Sequence, residues 1–279
     1  MMNQNSLFDK IINVISPLLI YLFIMLFAQA GFTIFAMVTQ FTGIGENGVS
    51  YEETVTFVEN MNNIVASNTL LVTFITIVVA IPIMLYLFKK QEGNLKFQGK
   101  KQGLYINIAV GIFASLGVSK LVTLFPIDGI IGNYKELSSN VMSADILLQI
   151  VTLILLGPLM EELLFRGLIY NRLKLLNEKA IAAYISAIIF GVYHLNLVQG
   201  LYTFVLGILL VYVYEKFSTL WAPYLLHMGA NAIAVVINYL PISRAISSHW
   251  YFKLPVMLVE LAILALILYK FIYKEKNKE

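Results

Sequence analysis

In a chain of 279 residues with three histidines and no cysteine, few side chains can do chemistry. The ones that stand out lie in apolar surroundings. Glu161, Glu162 and Arg166 fall within Gly-Pro-Leu-Met-Glu-Glu-Leu-Leu-Phe-Arg (157–166), His194 ends Phe-Gly-Val-Tyr-His (190–194), and His227 and Asn231 bound His-Met-Gly-Ala-Asn. An ionisable group at the middle of an apolar segment costs roughly 3 kcal/mol on insertion scales, so it faces a bundle interior or a wet cavity and marks function by default. A carboxylate, two imidazoles and a carboxamide suit water activation and attack on an amide carbonyl. The carboxylate takes a proton from water, and a neighbouring imidazole holds that water or shares the transfer. The other imidazole and the carboxamide donate to the developing oxyanion.

Spacing divides the work. Residues four apart share a helix face, whereas neighbours point about 100° apart. Glu162 and Arg166 can therefore pair along their own helix, which leaves Glu161 for chemistry. His227 and Asn231, also four apart, present two polar tips to one point. Gly157-Pro158 loosens the helix one turn before the glutamates and admits water. Gly191 and Gly229 permit close helix approach. Phe190 shares the face of His194 and reads as a wall that holds the imidazole. Tyr170 and Tyr193 are further donors, but with 16 tyrosines in the chain they carry little weight. Other hydrolase signatures are missing: there is no H-E-x-x-H, no G-x-S-x-G and no Gly-Asp pair. The absence of cysteine removes thiolate nucleophiles and cysteine metal sites.

The elements that must position these residues are membrane helices. The sequence is 59% hydrophobic and 13% charged, with a mean hydropathy of +0.80; a soluble domain carries about a quarter charged residues. The expected fold is all-α, a polytopic integral membrane bundle of about eight spans, since a span needs about 20 apolar residues. Apolar runs lie near 11–38, 69–88, 103–125, 144–165, 180–198, 200–214, 217–238 and 255–273. None shows the short alternating segments of a barrel. Lysine and arginine follow every even-numbered run: Lys89, Lys90, Lys96, Lys100 and Lys101, then Arg172, Lys174 and Lys179, then Lys216, then Lys270 and the tail lysines. The segment after the first run holds Glu46, Glu52, Glu53 and Glu59 without a basic residue, so both termini are expected to be cytoplasmic. Lys10 and Ala28-Gln29-Ala30 imitate a signal peptide, but the apolar run continues through Val38 and is expected to be retained. We expect one transmembrane domain over 1–279: a catalytic core at about 144–240, a partly helical outer loop at 39–68, and a cytoplasmic tail at 274–279. His249, beside Trp250, Tyr251 and Phe252, is expected in an interfacial aromatic belt. The net charge of +3 is sorted by side and gives no reason to expect nucleic acid.

Depth unites the polar residues. Counted from the cytoplasmic ends, Glu161, His194 and Asn231 each lie about 21–22 Å up their helices and His227 about 15 Å. Three separate helices thus bring polar groups to one level.

Glu161-Glu162-x-x-x-Arg166, Phe190-x-x-x-His194 and His227-x-x-x-Asn231 resemble, in order and spacing, the three motifs of the CPBP (Abi) family. That family comprises type II CAAX prenyl endopeptidases and bacterial bacteriocin-processing or immunity-associated proteins. The resemblance covers about residues 144 to 240. It implies an eight-helix intramembrane glutamate protease in which Glu161 and His194 activate water and His227 and Asn231 form the oxyanion hole. Glu162 and Arg166 would support them. Other readings stay open: Glu161, His194 and His227 could ligate zinc with an open water position, although Asn231 is a poor zinc ligand and a good oxyanion donor. A proton- or cation-coupled transporter would use the same residues as a relay, but inverted repeats and paired broken helices are not evident. A family member that only binds, or confers immunity, would keep the motifs for shape. The expected site is metal-free and without cofactor. The expected substrate is a small peptide or membrane-tethered protein, and the expected location is a bacterial cell membrane.

Overall fold

In hydrocarbon the backbone must satisfy its own hydrogen bonds, which restricts a spanning chain to helices or closed barrels. A computed structural model of the protein describes residues 6–41, 51–92, 103–122, 139–240 and 250–276, and no strand occurs among them. The fold is carried by α1 (Leu7–Phe41), α2 (Tyr51–Ser67), α3 (Thr69–Glu92), α4 (Ile106–Val122) and α5 (Ile146–Lys174). It continues with α6 (Lys179–Tyr193), α7 (Leu197–Phe217), α8 (Trp221–Tyr239) and α9 (Trp250–Lys276). Each of the eight apolar runs coincides with a helix, and α2 adds one within the 39–68 segment. By length and composition Leu7–Gln40, Thr69–Gln91, Ile146–Lys174, Leu197–Phe217 and Tyr251–Lys270 suffice to cross a bilayer, while α4 and α6 are apolar but shorter. The molecule is a polytopic helical membrane bundle. Phe23 and Phe27 of α1, and Leu258 and Val259 of α9, are exposed as lipid-facing residues should be. Glu46, Lys96, Lys100, Lys101, His249 and the last three residues lie outside the described residues.

The fourth helix runs on past its apolar stretch to Lys174, close to the end near 176 that the depth count takes, whereas the fifth stops at Tyr193 instead of 198. The stop has a local cause. Leu195 takes a left-handed φ of 53°, and the Asn196 side chain accepts from Gln199 N–H to cap the next helix.

α5 is the axis of the bundle. All residues of Leu163–Tyr170 are buried, as expected for a helix apolar on every side and surrounded by others. α1 and α3 cover one flank, and α6, α7 and α8 the other. Small residues set the closest approaches: a Cβ at Gly111 would stand 1.8 Å from the Leu226 carbonyl oxygen, and one at Gly229 would stand 2.4 Å from that of Ile108. These contacts press α4 against α8. α9 packs on α4, where Glu260 takes Lys120 Nζ with both oxygens at 2.7 and 2.9 Å.

Candidate active site

The site begins with a defect in α5. The Asp145 carboxylate caps the helix by accepting from the N–H groups of Leu147 and Leu148. Ile150–Leu156 and Leu163–Tyr170 are wound as π-helix, and the α-helical turn Gly157–Glu162 between them ends on the two glutamates. Gly157 N–H donates to the Thr152 carbonyl, five residues back. Pro158 has no N–H to give. The Leu153 carbonyl thereby loses the donors four and five residues ahead, and Asn231 Nδ2 of α8 fills the vacancy at 2.8 Å. A buried carbonyl needs such a partner. Because a carboxamide has two N–H bonds, this contact fixes the plane of Asn231 and leaves its second hydrogen for another acceptor.

Glu162 is the hub. Its Oε1 accepts from Arg166 Nη1 at 2.9 Å and from His227 Nδ1 at 2.9 Å. The Arg166 Nη2 group also donates to the Gly207 carbonyl at 3.3 Å, and its guanidinium lies 4.6 Å above the Phe190 ring centre. Glu162 and Arg166 side chains are 1% and 0% exposed, so the pair survives there only because each charge has its partner. A cavity of about 190 Å³, lined by Glu162 with Leu85, Phe88, Leu159 and Trp221 among others, adds to this apolar setting. The Glu162–Arg166 pair was legible from spacing; the bond across to His227 was not. A carboxylate only accepts, so His227 Nδ1 carries the hydrogen, and Nε2 is left as an acceptor in the neutral ring and a donor in the protonated one.

Glu161 differs from its neighbour. Its side chain is 17% exposed, and its Oε2 lies 3.5 Å from His227 Nε2. His194 sits at the C-terminal cap of α6, where its Nδ1 is 2.8 Å from the Phe190 carbonyl. That carbonyl requires Nδ1 to be the donor, which leaves the second ring nitrogen as an acceptor. Both imidazoles thus have Nδ1 fixed by protein acceptors and Nε2 released. The buried Phe190 ring stands edge-on to both, at 4.9 Å from His194 and 5.8 Å from His227. Tyr193 stands edge-on to His194 at 5.2 Å, and Tyr21 of α1 lies 5.8 Å from Tyr193. Tyr21, from α1, had no signal in the sequence: a phenol in a uniformly apolar helix looks like any other. Tyr170 instead packs with Tyr214 and beneath Lys174.

The structure therefore brings Glu161, Glu162, Arg166, Phe190, His194, His227 and Asn231 together. Among the described residues no three His, Cys, Asp or Glu side chains are grouped as a metal ion would need, those of Glu161, His194 and His227 included. No step below passes through a metal.

Two comparisons with known proteins give a match. The Bacillus subtilis (strain 168) protein named "Putative membrane peptidase YdiL" is 28% identical over 95 residues, which cover 34% of this chain and 39% of that protein. No solved structure matches the chain. Residues 143–233, which hold every site residue named above except Tyr21, match the family described as Type II CAAX prenyl endopeptidase Rce1-like, in agreement with the spacing of Glu161, His194, His227 and Asn231.

Proposed function

We propose that the protein is an intramembrane endopeptidase that hydrolyses a peptide bond with water activated by Glu161 and His194. The observation that carries this reading is the pair of imidazoles, each locked at Nδ1 and open at Nε2, beside a partly exposed carboxylate. The match to a peptidase family and to a protein named as a membrane peptidase agrees with it.

In this reading Glu161, assisted by His194 Nε2, takes a proton as the water oxygen bonds to the scissile carbonyl carbon. The electron pair of the carbonyl moves to its oxygen. That oxyanion accepts from the second hydrogen of Asn231 Nδ2 and from Nε2–H of His227 in its protonated form, whose charge faces Glu162. Collapse breaks the C–N bond, and the proton held at Glu161 passes to the leaving amine. Glu162, Arg166 and Phe190 touch no reacting atom; they hold His227 and His194 in place. The substrate is a small peptide or a membrane-tethered protein, reached from the cytoplasmic side that the basic loops define.

The test compares wild type and Glu161→Gln, purified in detergent, against a peptide library with and without chelator. The substitution should lower cleavage by about 10²–10⁴-fold, the usual contribution of a general base, and chelator should leave the wild-type rate unchanged. Equal cleavage by both proteins removes the assignment. Loss of wild-type cleavage with chelator overturns the metal-free route. A proton current in liposomes that depends on Glu161, without peptide products, would replace the peptidase by a transporter.

A further inference from the structure

At one end of the bundle the bonds of Arg172, Lys174 and Lys179 gather the ends of α3, α5 and α7 and the starts of α1 and α6. The cations there are not treated alike. Lys174 and Lys179 share the Glu215 carboxylate, at 2.7 and 2.8 Å. Arg172, half-buried, donates to neutral acceptors alone among the described residues. Its Nε gives to Gln91 Oε1 of α3 at 2.6 Å, and its Nη1 to the Asn13 carbonyl and, at 3.0 Å, the Ser16 hydroxyl of α1. The Nη2 group and the Lys90 ammonium have no partner among the described residues.

These two charges line one groove. Lys90 and Arg172 share a cavity of about 360 Å³ with Asn13, Leu87, Gln91 and Leu175, and no carboxylate lines it. Two cations in one cleft call for an anion. A phosphate suits both, since a guanidinium grips it with a planar fork and an ammonium adds a point charge. Depth selects where that phosphate comes from. Arg172 and Lys90 stand within two residues of the ends of the spans Ile146–Lys174 and Thr69–Gln91, hence within about 3 Å of those ends along the helix axes. That is the level of lipid headgroups. Leu87, one turn deeper on α3, offers an apolar wall to the first methylenes of an acyl chain. Basic pockets of this kind between spanning helices take anionic headgroups.

We propose that the groove between α1, α3 and α5 binds the phosphate of an anionic phospholipid, held by Lys90 Nζ and Arg172 Nη2, and that the bound lipid secures α1 to the bundle. This site is independent of the peptidase reading. The test uses the full chain in neutral detergent, with dioleoylphosphatidylglycerol, dioleoylphosphatidylcholine and inorganic phosphate as probes, and reads bound lipid by native mass spectrometry and thermal unfolding. Wild type should retain phosphatidylglycerol under conditions that strip phosphatidylcholine, and its unfolding temperature should rise as phosphatidylglycerol is added. Lys90→Gln leaves the Arg172 latch untouched and should weaken phosphatidylglycerol binding about fivefold, the effect of one cation at a membrane surface. Lys89→Gln, exposed on the same helix but outside the groove lining, should leave binding within about twofold of wild type. Equal weakening by the two lysine variants means diffuse surface attraction and overturns the site, as does equal retention of the two lipids. Stabilisation by inorganic phosphate without lipid, lost in Lys90→Gln, would make the groove a site for a free anion and overturn the lipid assignment.

Discussion

Glu162 Oε1 accepts from Arg166 and His227 at the same distance, so a change at either donor alters what the other must neutralise. Arg166→Ala strands a carboxylate that has no solvent to turn to and should lower stability by roughly 3–5 kcal/mol, read as thermal unfolding in detergent. Arg166→Lys keeps the charge but loses the reach to Gly207 and the flat contact with Phe190, so its loss should be smaller and still measurable. Glu162→Gln acts through His227: an uncharged amide no longer stabilises the protonated ring whose Nε2–H serves the oxyanion. Its kcat should fall by about 10²–10⁴-fold with KM little changed, by analogy with the buried aspartate of serine-protease triads. The Glu162–Arg166 pairing was readable from the sequence because four residues make about one helical turn. The bond from Glu162 to His227 and the ring contact of Tyr21 with Tyr193 join distant segments, and no local period announces them.

At the scale of elements, α5 is informative because it is irregular. Gly157-Pro158 was expected to loosen it, and the π-wound stretches on either side express that loosening. Pro158→Ala would restore an N–H beside the Leu153 and Ile154 carbonyls and compete with Asn231 for the former. We expect kcat to fall about tenfold or more without loss of stability, and the Asn231 side-chain amide resonance to move in nuclear magnetic resonance spectra. Gly229→Ala tests the neighbouring contact. A Cβ 2.4 Å from the Ile108 carbonyl oxygen forces backbone to move, and overpacking of this kind should destabilise by about 1–3 kcal/mol in the same unfolding assay. The existence of the helices was legible because apolar length is written in composition. Their ends were not: the stop of α6 depends on a left-handed Leu195 and an asparagine cap, which hydropathy does not register.

At the scale of the molecule, one ion pair escaped the sequence reading altogether. Lys120 and Glu260 lie inside apolar runs that are remote in the chain, and only their meeting on α4 and α9 explains both. Glu260→Gln or Lys120→Met should each loosen α9, whereas Lys120→Met with Glu260→Met should recover much of the loss, since paired apolar replacements often match a sequestered ion pair. Protease accessibility of α9 in nanodiscs would distinguish these variants. The press of Gly229 on Ile108 has a wider implication. α8 carries His227 and Asn231 on one face and leans on α4 with another, while α4 lies outside the 143–233 stretch. That stretch is consequently no portable cassette: transplanted into a foreign scaffold, it would arrive with its motifs intact and its imidazole and carboxamide adrift.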